Sequence, residues 1–217
     1  MKGFSITRSR RVETEEDRLK VLAVLEQTYA REKGWVLEVD SIFPASDLGR
    51  TDQSWFLASK GGEPVGVLRV VYDPSLGGYA DYKLEATDPS VDVAKFLATN
   101  RIAEVGRFAV VPERRKGVGV VLSLMRASTK EIVRQGYTQL ITDVFENDPH
   151  SPLGFHTRII GFQKVATHET GELRHKGRRI TLLLDMKAAY RSLKARGNRF
   201  FRAVTLGWTP AMHASMG

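Results

Sequence analysis

The run AEVGRFAVVPERRKGVGVVLSLM, Ala103 to Met125, constrains the fold of this chain more than any other stretch. An apolar, strand-like segment stops at Pro112. Three cations follow, Arg114, Arg115 and Lys116, and then Gly117 and Gly119 lead into a long apolar helix closed by Gly136. Proline removes a backbone donor and interrupts a strand, whereas glycine lets the backbone approach a partner closely. The start of a helix presents N–H groups without intrahelical partners and about half a positive charge. Cations, glycines and a helix start at one junction describe an anion site, and a pyrophosphate suits it.

The surrounding segments set the fold class. RIAEVGRFAVV (101–111) predicts a strand, 117–136 a helix, YTQLITDVFE (137–146) a second buried strand and SPLGFHTRIIG (151–161) a short helix. Strand, helix, strand, helix is a βαβα unit with a parallel pair at its centre. Upstream, FSITRS (4–9) predicts a short strand. Residues 13–34 predict a helix with an acidic first turn, Leu19, Leu22, Leu25 and Tyr29 on one face, and Gly34 as its stop. Residues 54–74 predict a hairpin around Gly61-Gly62. In 74–101 a strand is expected near YADYKLE (79–85) and a short helix near VDVAKFLAT (91–99). FQKVATHET and RRITLLLDM predict a last hairpin around GELRHKG. With no repeat or linker in view, the chain is expected to be one α/β domain over 1–187 with a basic amphipathic tail over 188–217.

Composition narrows the function. The 217 residues include no cysteine, which excludes disulfides, thiolate metal sites and a thiol nucleophile. His150, His156, His168, His175 and His213 show no ligand spacing, and Glu146, Asp148 and His150 read as a solvated turn, so no metal is expected. No apolar run approaches the ~20 residues of a membrane span, and MKGFSITRSRR turns charged too early for a secretory signal, so a cytoplasmic location is expected. The net charge is +8, but five of the excess cations, Arg191, Lys194, Arg196, Arg199 and Arg202, stand in a tail without acidic residues. The body is therefore nearly balanced, and nucleic acid is an unlikely partner for it.

The loop has neither the P-loop nor the Rossmann spacing. Arg114-x-x-Gly117-x-Gly119, after a strand and a proline, resembles instead the acyl-CoA signature of the GNAT superfamily of N-acetyltransferases. NDPHSPLGFHTRIIGF resembles that family's second signature, with Asn147 after the next strand and a short helix ending at Gly161-Phe162. The resemblance covers Ala103 to about Thr170 well and the N-terminal third loosely. It implies a single GNAT-fold domain: a mixed central sheet with a splayed parallel pair, flanked by helices. It also implies that backbone N–H groups of Lys116, Gly117, Val118, Gly119 and Val120, with Arg114 and Arg115, hold the coenzyme A pyrophosphate. The pantetheine arm would run along Phe108, Ala109 and Val110, near Asn147, and an N–H near Phe108 or Ala109 would polarise the thioester carbonyl. Without cysteine, direct attack by an amine in a ternary complex fits better than an acyl-enzyme.

Glu104, early in the central strand, resembles the catalytic base of histone-acetyltransferase-like members. The alternative for it is an ion pair with Arg107. Where most members carry a tyrosine acid, this chain has Thr157 with His156 beside it, so either His156 gives the thiolate its proton or the thiolate leaves unaided.

A narrower likeness is to the branch that makes N-acyl amino acids or acyl-homoserine lactones from longer acyl chains. It rests on GWVLEVD (Trp35, Glu38, Asp40), on the Gly-x-x-Arg strand ending at Arg69, and on Glu104-x-x-Arg107-Phe108. In that branch such charges organise the N-terminal lid and the acceptor amine. Acetyl-CoA, longer acyl-CoA and acyl carrier protein thus all stand as donors, since the intact loop is typical of coenzyme A users. In the tail Tyr190, Leu193, Phe200, Val204 and Trp208 recur at near-helical spacing, suited to packing on the body, while the cations suit an acidic carrier protein or an anionic membrane surface. Two rivals remain: a non-catalytic acyl-CoA sensor and, last, a nucleic-acid binder driven by the tail.

Overall fold

Gly61 and Gly62 hold φ angles of +63° and +90°, the left-handed pair that a two-residue hairpin turn needs. They join β2 (Gln53–Lys60) to β3 (Glu63–Tyr72) in an antiparallel ladder, with β1 (Thr7–Arg11) along the far edge of β2. The computed structural model describes residues 6–75, 82–87, 90–175 and 177–217. Its sheet also contains β4 (Glu85–Ala86), β5 (Ile102–Val110), β6 (Gln139–Phe145), β7 (Gln163–His168) and β8 (Arg179–Asp185), in the order β1-β2-β3-β5-β6-β8-β7-β4. All neighbours run antiparallel except β5 and β6.

The β5–β6 crossover is α3 (Gly119–Arg134), preceded in the chain by α1 (Glu15–Leu25) and α2 (Val93–Thr99). Helix α3 buries Val120, Leu124 and Ile132 on one face of the sheet. Its approach depends on Gly66: a Cβ there would lie 2.7 Å from Val120 Cγ1 and 3.0 Å from the Ala109 carbonyl. Helix α1 and the segment after it cover the other face, where Phe43 stacks on Trp55 at 4.6 Å. Thr14 caps α1 by accepting from the Asp17 N–H. From Glu26 to Glu32 the helix widens into a π turn, and Gly34, at φ +62°, ends it. The expected apolar face is corrected at one position within α1: Leu19 is 56% exposed, whereas Val21, Leu22, Val24, Leu25 and Tyr29 are buried.

Residues 79–81 of the strand expected near 79–85 lie outside the described residues. The strand pairing found there is β4 at Glu85–Ala86 against β7. A second, smaller core of Val93, Ile102, Ile141, Val165 and Leu183 packs between α2 and the sheet. After β6 comes α4, Leu153–Phe155 running into a π turn at His156–Ile160 that Gly161 closes at φ +103°.

The C-terminal residues form α5 (Met186–Ala195), α6 (Arg199–Val204) and α7 (Pro210–Met216), broken at Gly197 and Gly207, both at positive φ. Tyr190, Leu193, Val204 and Met216 are buried. Arg126 of α3 donates to the Ala203 carbonyl at 2.7 Å, and the five tail cations are all exposed.

Candidate functional site

Strands β5 and β6 pair only at Ile102–Glu104 with Gln139–Ile141, although both run on for several residues. Beyond that point β5 remains bonded to β3 and β6 to β8, so a gap opens in the middle of the sheet. The cause is local. Leu68 of β3 faces both Arg107 and Phe108 of β5, a bulge, and Arg107 sits at φ +49°. A non-glycine residue there costs on the order of 1 kcal/mol or more and bends the strand away from its parallel neighbour. Above the bulge the Val111 N–H donates to Val65 O at 3.1 Å. Strand alternation then turns the main chain of Ala109 toward β3 and that of Phe108 and Val110 into the gap.

At the end of the gap is the basic loop. Helix α3 has no side-chain cap, and the first backbone hydrogen bond entering it from the loop is Leu122 N–H to Val118 O at 2.9 Å. A Cβ on Gly117 would meet nothing within 4 Å, and one on Gly119 only Thr7 Oγ1 at 3.9 Å. Gly117, Val118 and Gly119 are all exposed, and Val120 is the first buried residue of the helix. Arg114 and Lys116 are exposed beside them, and Val118 is 70% exposed. Arg115 is differently placed from its neighbours. Its Nε donates to Val110 O at 2.8 Å and its two terminal nitrogens hold the Glu32 carboxylate at 2.5 Å each.

The gap leads into a cavity of about 1110 Å³ that crosses the sheet. Its apolar end lies between α3, α4, α5 and α6, lined by Met125, Phe155, Ala189, Leu193 and Phe201 among others. Its polar end lies under α1 and Trp35, where charges from four strands converge. Arg69 Nη2 donates to Glu104 Oε1 at 3.3 Å. Arg107 pairs instead with Glu172, so the expected alternative of a Glu104–Arg107 pair is corrected: each of the two has another partner. Burial pushes the Glu104 carboxyl above the usual carboxylate range, against the pull of Arg69, and nearby Asp143 pushes the same way. The 23% of the Glu104 side chain that stays open faces this cavity.

Trp35 lines the polar end, packed against Tyr29 at 5.1 Å and Phe145 at 4.7 Å. Glu38 and Asp40, expected beside it, do not reach the cavity: Asp40 accepts from Arg18 at 2.5 Å, and Glu38 is exposed. Asn147 is exposed in the turn after β6 and likewise lies off the cavity. His156 lines the cavity and donates from Nδ1 to the Pro152 carbonyl at 2.9 Å, since a carbonyl only accepts. Burial lowers its pKa, so at neutral pH the ring is uncharged and Nε2 carries no proton. Among the described residues no cluster of histidines and carboxylates suits a metal ion, and no helix is long and apolar enough to cross a membrane.

Sequence reasoning missed Glu172, Asp143, His168 and Gln53, all of which line the polar end. Asp143 accepts from Thr181 Oγ1 at 2.7 Å and stands 3.3 Å from His168 Nε2. None of the four has a local motif. Strand alternation, which puts Asp143 on the same face as Ile141, was the one available signal.

Known proteins place this fold. A family model described as N-acyl amino acid synthase FeeM matches residues 20–181. Among solved structures, FeeM itself, an N-acyl amino acid synthase from uncultured soil microbes, superposes with a TM-score of 0.68 at 16% identity, over 90% of this chain and 100% of that one. A protein assigned to the GNAT acetyltransferases from Desulfovibrio desulfuricans gives 0.54 at 15% identity, over 83% and 99%. A ribosomal-protein-alanine N-acetyltransferase from Brucella melitensis gives 0.53 at 16%, over 82% and 98%. No curated protein sequence matches. At such identities the structural likeness speaks for the fold, while the family model spans most of the chain. The chain belongs to the FeeM family of N-acyl amino acid synthases, N-acyltransferases built on the GNAT fold.

Proposed function

We propose that the chain joins a fatty acyl group, delivered as a pantetheine thioester, to the amine of an amino-acid acceptor. The observation that carries this reading is the cavity. About 1110 Å³ runs without a break from Glu104 to the apolar space behind α5 and α6. Ligand pockets of roughly 300–1,000 Å³ hold whole drug-sized molecules, and an acetyl group would use a small part of this one. A chain of methylenes fills it favourably, at about 0.8 kcal/mol for each CH₂ removed from water.

In this reading the donor enters along the gap in the sheet, its phosphates on the uncapped start of α3 with Arg114 and Lys116 beside them. Coenzyme A and acyl carrier protein both bring a phosphopantetheine arm. The open glycine loop suits the first, and the exposed tail cations, with Arg199 at the cavity wall, suit the acidic surface of the second. The acceptor approaches from the polar end with its ammonium at Glu104. Glu104 takes the ammonium proton, the amine nitrogen bonds to the thioester carbon, and the carbonyl oxygen gains charge opposite the Phe108 N–H. The nitrogen gives its second proton to water as the C–S bond breaks with its electron pair on sulfur, giving amide and thiolate. His156 has no proton on Nε2 to give, so the thiolate is protonated from water, and His156 serves as a wall of the channel. Arg69 and Arg107 hold Glu104 and Glu172 in place and face the acceptor's carboxylate.

Thiol release measured with donors from acetyl to palmitoyl, on coenzyme A and on acyl carrier protein, against a panel of amino acids tests this. The kcat/KM should climb about fourfold per added methylene until the cavity is full. Fast turnover confined to acetyl-CoA would overturn the reading, and donor binding without thiol release for any amine would turn the chain into a sensor.

A further inference from the structure

Arg107 reaches the polar end of the cavity through an irregularity in its strand. Residues three apart on a plain strand point to opposite faces of the sheet, and Glu104 and Arg107 are three apart. The bulge at Leu68 and the left-handed φ of +49° at Arg107 break that alternation, so both residues line one cavity. The Glu104 carboxyl feels the charge of Arg107 and, with opposite sign, that of Glu172. Backbone strain of this kind concentrates at binding and active sites.

Two arginines stand at this end, and they differ in what holds them. Arg69 donates to Glu104 at 3.3 Å, and that carboxylate side chain is 23% exposed. Arg107, its side chain 11% exposed, pairs with Glu172, whose side chain is 60% exposed. Among the described residues Glu172 is the one carboxylate in ion-pair contact with Arg107. A carboxylate so open returns to water at small cost. The shielded guanidinium, by contrast, is costly to leave without an anion. Exchange of one carboxylate for another satisfies both conditions. The backbone on either side of Glu172 is fixed, because the buried Arg179 donates to the carbonyls of Glu169 and Leu173 at 2.8 and 2.9 Å. Rotation of the Glu172 side chain is therefore enough to free Arg107, and the loop keeps its place.

We propose that Glu172 holds the place of the acceptor's carboxylate on Arg107 and gives it up when an amino acid binds with its amine at Glu104. Glu172 is then a specificity-determining residue. It keeps Arg107 paired against any amine without a carboxylate, and it competes with every acceptor that has one. The inference rests on the reading of Glu104 as the group that meets the amine. It makes the acceptor a free amino acid, in preference to the same molecule with its carboxylate masked as an amide.

An amino acid and its carboxamide share a side chain and differ in this charge, so their kcat/KM ratio is the measurement. Leucine with leucinamide and phenylalanine with phenylalaninamide are such pairs. The parent should favour the free acid by at least about tenfold, as for a charge-assisted contact. Glu172→Gln removes the competitor and keeps the outline of the side chain. It should lower KM for the free acid about two- to fivefold, the range of an open ion pair, and leave KM for the carboxamide within about twofold. Arg107→Gln should bring the ratio near one, and adding Glu172→Gln to it should yield no further gain for the free acid. A parent ratio near one would overturn the proposal, as would an unchanged or raised KM for the free acid in Glu172→Gln. So would an equal change on both members of each pair, which would leave Glu172 a purely structural role. Failure of the parent with every amine is a different result: it sinks the reading of the reaction, and this proposal with it.

Discussion

Arg115 holds Glu32 with both terminal nitrogens at 2.5 Å while its Nε grips the carbonyl of Val110 at 2.8 Å. One side chain from the donor loop thus ties the end of the α1 extension to the last residue of β5. The pair is partly open to solvent, 23% and 26% exposed, which limits its worth to about 0.2–1 kcal/mol. Arg115→Lys keeps the charge and loses the fork. It should lower Tm by about 1–4 °C, as for other chains of this length, and raise the donor KM as the loop loses its tether. A double-mutant cycle with Glu32→Gln should be non-additive, and simple additivity would count against the tie. The hydrogen bonds from Arg115 hold the Glu32 pKa below its ordinary 4.5. Its contribution is therefore complete above that value and fades as the pH falls through the depressed pKa.

Gly119 separates binding from folding. A side chain there finds open space, with Thr7 Oγ1 at 3.9 Å as its nearest neighbour. Gly119→Asp should leave Tm within a degree or two of the parent, yet bring a negative charge to the place where phosphates are proposed to sit. Calorimetric titration with desulfo-coenzyme A should show affinity falling by at least about tenfold, in line with a lost charge-assisted contact. Equal affinity in the variant would remove the loop from the donor site.

Glu104 should show opposite effects on rate and stability. As a base it must be ionised, and burial raises its pKa, so kcat/KM should rise with pH through a limb placed above the ordinary carboxylate value of 4.5. Glu104→Gln should lose about 10²–10⁴ in kcat and that limb with it. A carboxyl whose pKa is raised on folding contributes fully below its unfolded value and loses that contribution as pH climbs through the folded one. The Tm difference between variant and parent should therefore shift in favour of glutamine from pH 4.5 upward. A parent profile with no carboxylate limb would take the base role away from Glu104.

Ala189 lines the apolar end of the cavity on α5. Ala189→Phe fills that end and should shorten the preferred acyl chain, cutting kcat/KM for palmitoyl donors about tenfold or more while leaving short donors within about twofold. Equal loss for all chain lengths would place the acyl group elsewhere.

What could be read without coordinates was what is local. Pro112, the three cations and the two glycines lie within eight positions of one another, and the strand, loop and helix they announce are all present. Leu19 was grouped with Leu22 and Leu25, but the face that α1 turns to the sheet carries Arg18, Val21, Leu22 and Leu25, and Leu19 points away from it. The partner of Glu104 was misjudged for a related reason. Arg107 is three positions away, but Arg69, 35 positions upstream, is the residue that the sheet register sets beside it. Glu38 and Asp40 matched a motif, yet the buried Arg18 claims Asp40 and turns that turn outward. A small pocket at Gln53 arises from how two strands and a loop meet, which no local pattern announces.

The two halves of the sheet are stitched together at just three residue pairs, Ile102 to Glu104 against Gln139 to Ile141. An extended arm lodged farther up the split, bonded to main chain on either bank, would act as the missing rungs of the ladder. Occupancy and cohesion then become one quantity. The more completely such a guest spans the opening, the more ladder bonds join the two halves.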